Sequence, residues 1–154
     1  MIYTDARLSR HFPTIEIRIC DVCADARDAV LLAALCRGLV ETAAREYVDG
    51  VPAPPAHTSL LRLAAWQAGK AGLGGALVDP RTLRPASARA VVDALVEHVA
   101  VALDEYGDRD VVTDGVHRLF SRGTGATRQR AVMAQTGRLA DVVTDLVRAT
   151  AGES

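Results

Sequence analysis

Residues 14–21 read Thr-Ile-Glu-Ile-Arg-Ile-Cys-Asp, and this strict alternation of apolar and polar side chains decides how the first part of the chain folds. Alternation over seven or eight residues predicts a half-buried β-strand, because successive side chains of a strand point to opposite faces. The three isoleucines share one face, while Glu16 and Arg18 share the other. The polar face has two interpretations here: a solvated surface with an incidental ion pair, or a site that holds a metal ion beside a phosphate.

The residues before this strand predict a partner for it. A strand over 2–7 and a strand over 14–20 would form an antiparallel hairpin. Asp5 and Arg7 fall on one face of the first strand, so a matching register would place them beside the polar face of the second. The alternative, which we weigh equally, is that Asp5 and Arg7 pair only with each other or with other neighbours in the sheet.

Helical spacing replaces alternation after Cys23. The first predicted helix covers 25–48 and ends before Gly50 and the proline-rich loop. We expect it to cover the face formed by Ile15, Ile17 and Ile19. Further helices are predicted over 58–71, 87–105 and 109–121 and from Arg128 onwards with a break near Gly137, and a short hairpin is predicted over 73–86 with its turn at Asp79-Pro80-Arg81-Thr82. The fold class is therefore α+β, an antiparallel β-hairpin packed by several helices, with a mostly helical C-terminal half.

Length and composition are those of an ordinary globular domain, and we treat residues 1–154 as one domain. Net charge is −1, so no electrostatic argument favours nucleic acid or an anionic membrane as a partner. No apolar run approaches the ~18 residues of a membrane-spanning helix, and the N-terminus does not resemble a signal peptide. Three cysteines, an odd number, fit a reducing compartment, so we expect a cytoplasmic protein.

Two further features have structural interpretations. Cys20 and Cys23 form a C-x-x-C pair, but no second pair and no histidine cluster completes a zinc site. The pair also follows a strand instead of opening a helix, unlike a redox motif. Trp66 is predicted to be a packing anchor in the second helix.

Three stretches, in order along the chain, are similar to one enzyme family. The first is the strand at 13–23 with the hairpin before it and the helix after it. The second is Trp66 followed by Gly-Leu-Gly-Gly-Ala-Leu-Val-Asp-Pro-Arg-Thr at 72–82, and the third is Arg-Gly-Thr-Gly-Ala-Thr-Arg-Gln-Arg at 122–130. Together they resemble the glutamate–cysteine ligase type 2 family of carboxylate–amine ligases. The resemblance covers nearly the whole chain but only the C-terminal portion of the family pattern.

The resemblance implies an ATP-dependent ligase that joins an amino-acid carboxylate to an amine through an acyl phosphate. The implied cofactors are ATP and Mg²⁺, and the implied partners are those two small molecules. The implied fold is the C-terminal portion of a glutamine-synthetase-like catalytic domain, in which an antiparallel sheet curves into a funnel with helices on its outer face.

Individual residues can be matched to the family pattern. Glu16 looks like a Mg²⁺ ligand, and Arg18 looks like a catalytic contact to the phosphate of ATP. Asp5 and Arg7 are candidates for substrate binding on the same face.

The third stretch has two interpretations. Gly123 and Gly125 can present backbone N–H groups to an anion, and Arg128 and Arg130 add positive charge, which would suit ATP binding. The alternative is a turn between helices with a solvated basic face.

The missing N-terminal portion leaves the function of the isolated chain open. One hypothesis is a ligase of which this chain is an incomplete part, inactive alone because further metal ligands are missing. Another is a non-catalytic α+β module, or one half of a split enzyme, that pairs with an N-terminal-half partner chain or with itself through an open sheet edge.

Overall fold

The computed structural model describes residues 5–152 and confirms an α+β fold in which a short hairpin precedes seven helices. The strands are β1 (Ala6–Leu8), β2 (Ile15–Ile17), β3 (Ala76–Asp79) and β4 (Arg84–Ser87), and the helices are α1 (Ala26–Val48), α2 (Thr58–Ala71), α3 (Ala88–His98), α4 (Ala100–Tyr106), α5 (Arg109–Arg122), α6 (Gly125–Thr136) and α7 (Leu139–Thr150). In the described residues the strands form two separate two-stranded sheets. No described helix is both long enough and apolar enough to cross a membrane.

The first hairpin has the predicted antiparallel pairing but is shorter than predicted. Arg7 lies opposite Glu16 in the register of β1 and β2. One further backbone bond follows the strands, since the N–H of Arg18 donates to the carbonyl oxygen of Asp5 at 2.8 Å. β2 ends at Ile17 rather than at residue 20. Residues 2–4 of the first predicted strand lie outside the described residues.

The prediction that α1 covers the isoleucine face of the hairpin is wrong. Ile15 and Ile19 are 43% and 66% exposed, and Ile17 is only half-buried. The reason is that α1 uses its apolar stripe elsewhere, against α4 and α5. The alternation correctly predicted an apolar and a polar face for this strand. It did not predict which element, if any, packs against the apolar face.

The core lies where α1 crosses α4 and α5. Leu31, Ala34, Leu35 and Gly38 recur at three- and four-residue spacing on α1, so they form one buried face. They pack against the buried side chains Val99, Leu103, Val112 and Val116. A glycine on each side lets the helices approach closely: a Cβ on Gly115 would stand 3.0 Å from a methyl carbon of Leu31, and a Cβ on Gly38 would stand 3.2 Å from Val99.

The helix predicted over 87–105 is divided into α3 and α4. It begins as predicted, because the hydroxyl of Ser87 accepts the N–H of Ala90 at 3.2 Å. Val99 then leaves the helical region, with φ −96° and ψ 7°, while its side chain is fully buried. No glycine or proline marks this position, so periodicity alone could not show the break.

The second family-like stretch forms the predicted hairpin. β3 and β4 pair antiparallel, with Asp79 opposite Arg84 at the turn. The carboxylate of Asp79 is buried and accepts the backbone N–H of Arg81 at 2.8 Å, which fixes the turn.

The prediction that Trp66 anchors packing is wrong. Its side chain is 61% exposed, with the ammonium of Lys70 4.9 Å from the ring centroid. The cause is that α2 contacts β3 and the turn of 3₁₀ helix at Gly72–Gly74 but has no fully buried side chain of its own.

Candidate functional site

The polar face of the first hairpin brings three side chains together. One carboxylate oxygen of Glu16 accepts Nε–H of Arg7 at 2.6 Å, and the other accepts Nε–H of Arg18 at 2.7 Å. The strand register explains this arrangement: Arg7 lies directly across from Glu16, and Arg18 is two residues further on the same face. Asp5 joins this edge through its backbone carbonyl. The predicted juxtaposition with Glu16 and Arg18 is therefore confirmed for the side chain of Arg7, whereas the hydrogen bond of Asp5 to this group is made by its backbone.

This group, which we call the hairpin triad (Arg7, Glu16 and Arg18), carries more positive than negative charge. Hydrogen bonds from Arg18 and then from Arg7 hold the pKa of Glu16 below its usual range. The carboxylate therefore stays ionised, and two guanidiniums against one carboxylate leave one net positive charge. Each Arg contacts Glu16 through Nε, and guanidinium groups match phosphate and carboxylate oxygens well. The triad is thus suited to an anion at this face.

The same residues fit Mg²⁺ poorly by themselves. Mg²⁺ requires near-octahedral coordination by oxygen ligands. Both oxygens of Glu16 already accept hydrogen bonds from guanidiniums. Within residues 5–152, no group of three or more His, Cys, Asp or Glu side chains is placed to hold a metal ion. The described residues therefore do not form a magnesium site on their own, and the metal-ligand role of Glu16 stays a prediction that needs ligands from outside this chain.

A second polar cluster lies where α5 ends near the start of α1. Arg122 donates from Nη1 to the carboxylate of Asp25 at 2.8 Å and from Nη2 to the carboxylate of Asp28. Asp25 also caps α1, because its side chain accepts the backbone N–H of Arg27 at 2.8 Å. The guanidinium of Arg27 and that of Arg122 hold the pKa of Asp25 well below its usual range. We call the contact of Arg122 with Asp25 and Asp28 the Arg122 clamp.

The third family-like stretch adopts the geometry of a turn between helices. Gly123 has φ +83°, a conformation that favours glycine, and the hydroxyl of Thr124 caps α6 by accepting the N–H of Thr127 at 3.3 Å. Arg128 donates two hydrogen bonds to Asp145 on α7, at 2.6 and 2.8 Å. Arg130 is exposed on α6. The side chain of Arg128 is thus already paired with a carboxylate, and ATP binding by Arg128 and Arg130 stays a prediction.

A cleft of about 610 Å³ separates this turn from the loop that precedes α1. Arg122, Asp25 and Asp28 are among the residues that line it. Most of its wall is apolar, formed chiefly by Val22, Leu31, Leu32, Leu119, Ala131 and Val132.

Sequence reasoning did not identify Arg122 as a functional candidate. The available signal was the pair Asp25 and Asp28 at the start of the first predicted helix, where two carboxylates are already accounted for by their favourable interaction with the helix dipole. The second role of Asp25 and Asp28, pairing with a cation, depends on a residue far away in the sequence. No local sequence pattern shows that this residue is Arg122.

We expect the replacement Asp25→Asn to change how stability depends on pH. The folded pKa of Asp25 is depressed, so its charge contributes stability above the unfolded pKa of about 3.9. That contribution is lost as pH falls through the folded pKa. Asn still caps the helix but cannot pair with Arg122, so the variant should be less stable by about 1 kcal/mol at pH 7. Urea unfolding at pH 7, 5 and 3 measures the difference, which should shrink below pH 4; a constant difference would contradict this assignment.

Comparison with known proteins gives one consistent result. The model of the family described as glutamate-cysteine ligase family 2 matches residues 2–145. A relative from Streptomyces avermitilis, named "Putative glutamate--cysteine ligase 2-1", is 51% identical over 152 residues, covering 99% of this chain and 42% of the relative. One from Frankia alni, named "Putative glutamate--cysteine ligase 2-2", is 51% identical over 150 residues, covering 97% of this chain and 39% of the relative. The chain thus spans about two fifths of the length of these relatives.

Proposed function

The chain belongs to glutamate-cysteine ligase family 2, and we propose that it is part of an ATP-dependent ligase joining the carboxylate of glutamate to an amine such as that of cysteine. In the proposed reaction the carboxylate oxygen attacks the γ-phosphate of ATP and ADP leaves. The amine then attacks the acyl carbon of the acyl phosphate, a C–N bond forms, and phosphate leaves. Both steps place negative charge on phosphate oxygens.

One observation in this chain carries the proposal: the hairpin triad. Arg7 and Arg18 are held on one rigid polar face by a shared carboxylate, and their combined charge is positive. Preorganised guanidiniums stabilise the charge of a transferring phosphoryl group, because they need not reorient during the reaction. In this proposal Arg18 contacts the phosphate of ATP, and Arg7 and Asp5 lie nearest to the amino-acid substrate.

Mg²⁺ belongs to the proposal as the ion that accompanies ATP, and Glu16 is the one ligand to it that the family pattern predicts here. The remaining ligands would come from the part of a relative-length protein that this chain does not include. A second candidate function is one half of a split enzyme that acts through a partner chain. It is favoured by the exposed isoleucines Ile15 and Ile19 and by the first sheet, which has two strands within residues 5–152.

The proposal is tested by grafting. In the chimera, this chain replaces the matched segment of the Streptomyces avermitilis relative. We expect the chimera to release one ADP and one phosphate for each amide formed from glutamate, cysteine and MgATP. Hydroxylamine added in place of cysteine should trap the acyl phosphate as a hydroxamate. The chain alone should form no amide, because the metal ligands are incomplete.

Arg18→Lys in the chimera is the sharper variant, since an ammonium cannot reproduce a planar two-pronged contact with phosphate. It should lower kcat, whereas Arg10→Lys, a matched change at an exposed arginine of the hairpin loop, should not. A chimera that folds but neither hydrolyses ATP nor forms a hydroxamate would overturn the proposed function. Full ligase activity in the isolated chain would show that the site is complete without further segments.

A further inference from the structure

The segment between β2 and α1, residues 18–25, connects the hairpin triad to the helices. It contains no regular secondary structure except a bend next to α1. Two of its hydrogen bonds are internal: the N–H of Val22 donates to the carboxylate of Asp21, and the thiol of Cys23 lies 3.9 Å from the carbonyl of Asp21. These two bonds shape the segment. Towards the helices, the thiol of Cys20 lies close enough to Cys36 on α1 to contribute, after burial, to the raised pKa of that thiol.

The Arg122 clamp holds the other end of the segment, at Asp25, where the chain enters α1. Arg122 is the last residue of α5, a helix that buries Val112, Gly115 and Val116 in the core, so its backbone is held firmly. The three side chains of the clamp are only 14–30% exposed, so solvent screens their charges less than at an open surface. One turn earlier on α5, Nη2 of Arg118 lies 3.5 Å from the carbonyl of Arg27 and adds a second, weaker contact to the start of α1.

We propose that Arg122 is a positioning residue for Glu16 and Arg18, because it fixes the segment through which their strand is joined to the helical core. The consequence for catalysis rests on the proposed function; the fixation itself does not. The third family-like stretch then has a role that needs no bound anion. Its first residue, Arg122, holds one end of the connecting segment, and the glycine turn that follows leads into α6, which lines the same cleft as that segment.

The chain contains natural reporters for this fixation. Cys23 lies half-buried in the connecting segment and lines the cleft beside Arg122, whereas Cys36 lies half-buried in α1. Burial, followed by the charge of Asp28, raises the pKa of the Cys23 thiol, which makes it slow to react in the wild-type chain. Loosening the segment would expose Cys23, whereas Cys20, which is already exposed, would change little. Cys36 is not an independent reference, because burial and then the nearby Cys20 thiol raise the pKa of Cys36.

The experiment compares thiol labelling in Arg122→Gln and Arg45→Gln. Arg45 is a matched control, because it also pairs with two carboxylates, those of Glu41 and Glu105, at the other end of α1. We expect Cys23 to be labelled at least about tenfold faster in Arg122→Gln, with the already exposed Cys20 little changed, and neither rate to change in Arg45→Gln. If Arg122→Gln removed a positive charge without moving the segment, the pKa of the Cys23 thiol would rise further and labelling would slow. Faster labelling of Cys23 therefore reports greater exposure of its thiol.

Activity of the chimera separates positioning from simple fixation. Arg122→Gln should lower kcat about tenfold when kcat is measured well below the melting temperature, which should itself fall by only about 2–4 °C, the shift expected for the loss of one such contact. Arg122→Lys, which keeps the charge, should restore part of kcat. Unchanged labelling of Cys23 would overturn the inference. Faster labelling with wild-type kcat would overturn the positioning role and leave the ligase proposal intact. If the wild-type chimera is not a ligase, the proposed function is wrong. The labelling rate of Cys23 then still tests whether Arg122 fixes the connecting segment.

Discussion

Glu16→Gln is expected to lower kcat of the chimera at least about a hundredfold while shifting its melting temperature by less than about 2 °C. Glu and Gln are nearly isosteric, so the strand should keep its packing. The charge that the variant loses is the one that both guanidiniums of the hairpin triad contact. Glu46→Gln is the matched control, because its carboxylate is equally exposed, at 42%, but lies on α1 beside His98.

The same variant distinguishes two roles for Glu16. If Glu16 is a Mg²⁺ ligand, the Mg²⁺ concentration needed for half-maximal rate should rise, since Mg²⁺ prefers a carboxylate oxygen to a neutral amide. If Glu16 only orients Arg7 and Arg18, the KM for ATP should rise and the Mg²⁺ requirement should stay. If Glu16→Gln keeps both the wild-type kcat and the wild-type Mg²⁺ dependence, Glu16 has neither role. The polar face of the hairpin would then be a solvated surface with an incidental ion pair.

Leu31→Ala is expected to reduce the free energy of unfolding of the chain by about 3 kcal/mol, within the usual 2–5 kcal/mol for such truncations. Leu31 is only 2% exposed and fills the space that Gly115 leaves on α5. The variant removes those contacts and leaves a cavity, because a glycine opposite cannot extend into it. The melting temperature should fall by roughly 6–12 °C in a chain of this length.

Leu61→Ala serves as the control for this truncation. Leu61 lies on α2 and is 56% exposed, so the same chemical change should cost less than about 0.5 kcal/mol. Urea unfolding of both variants measures the two values. Equal losses would contradict the assignment of the core to the crossing of α1 with α4 and α5.

What the sequence predicted well was local in origin. The stop signals after residue 48 and the apolar stripe of α1 gave that helix to within one residue at its start, and α2 was predicted with its observed bounds, Thr58–Ala71. Alternation placed Arg7 and Glu16 on faces that could meet, but the register that sets them opposite each other was left open by the sequence and comes from the structure. In the cases that were predicted, the residues that determine the structure are close to one another in the sequence.

What the sequence did not predict depends on distant partners. The stripe of α1 could cover either the isoleucines or other helices, and only the close approach permitted by Gly38 and Gly115 decides for the helices. Trp66 was predicted to anchor packing because its aromatic ring is large, but no other part of the described structure buries it. The partner of Asp25 is 97 residues away, and no periodicity connects the two. The candidate site was therefore predicted as a strand face, without the contact that fixes it.

That separation of 97 residues also has a consequence for the order of folding. A hairpin with a short loop can form within about 10 μs, because its contacts are local. The contact of Asp25 with Arg122 can form only after the intervening helices have closed a long loop, which costs chain entropy before it is stabilised by any contact. We therefore expect the hairpin to form before its position relative to the helical core is fixed.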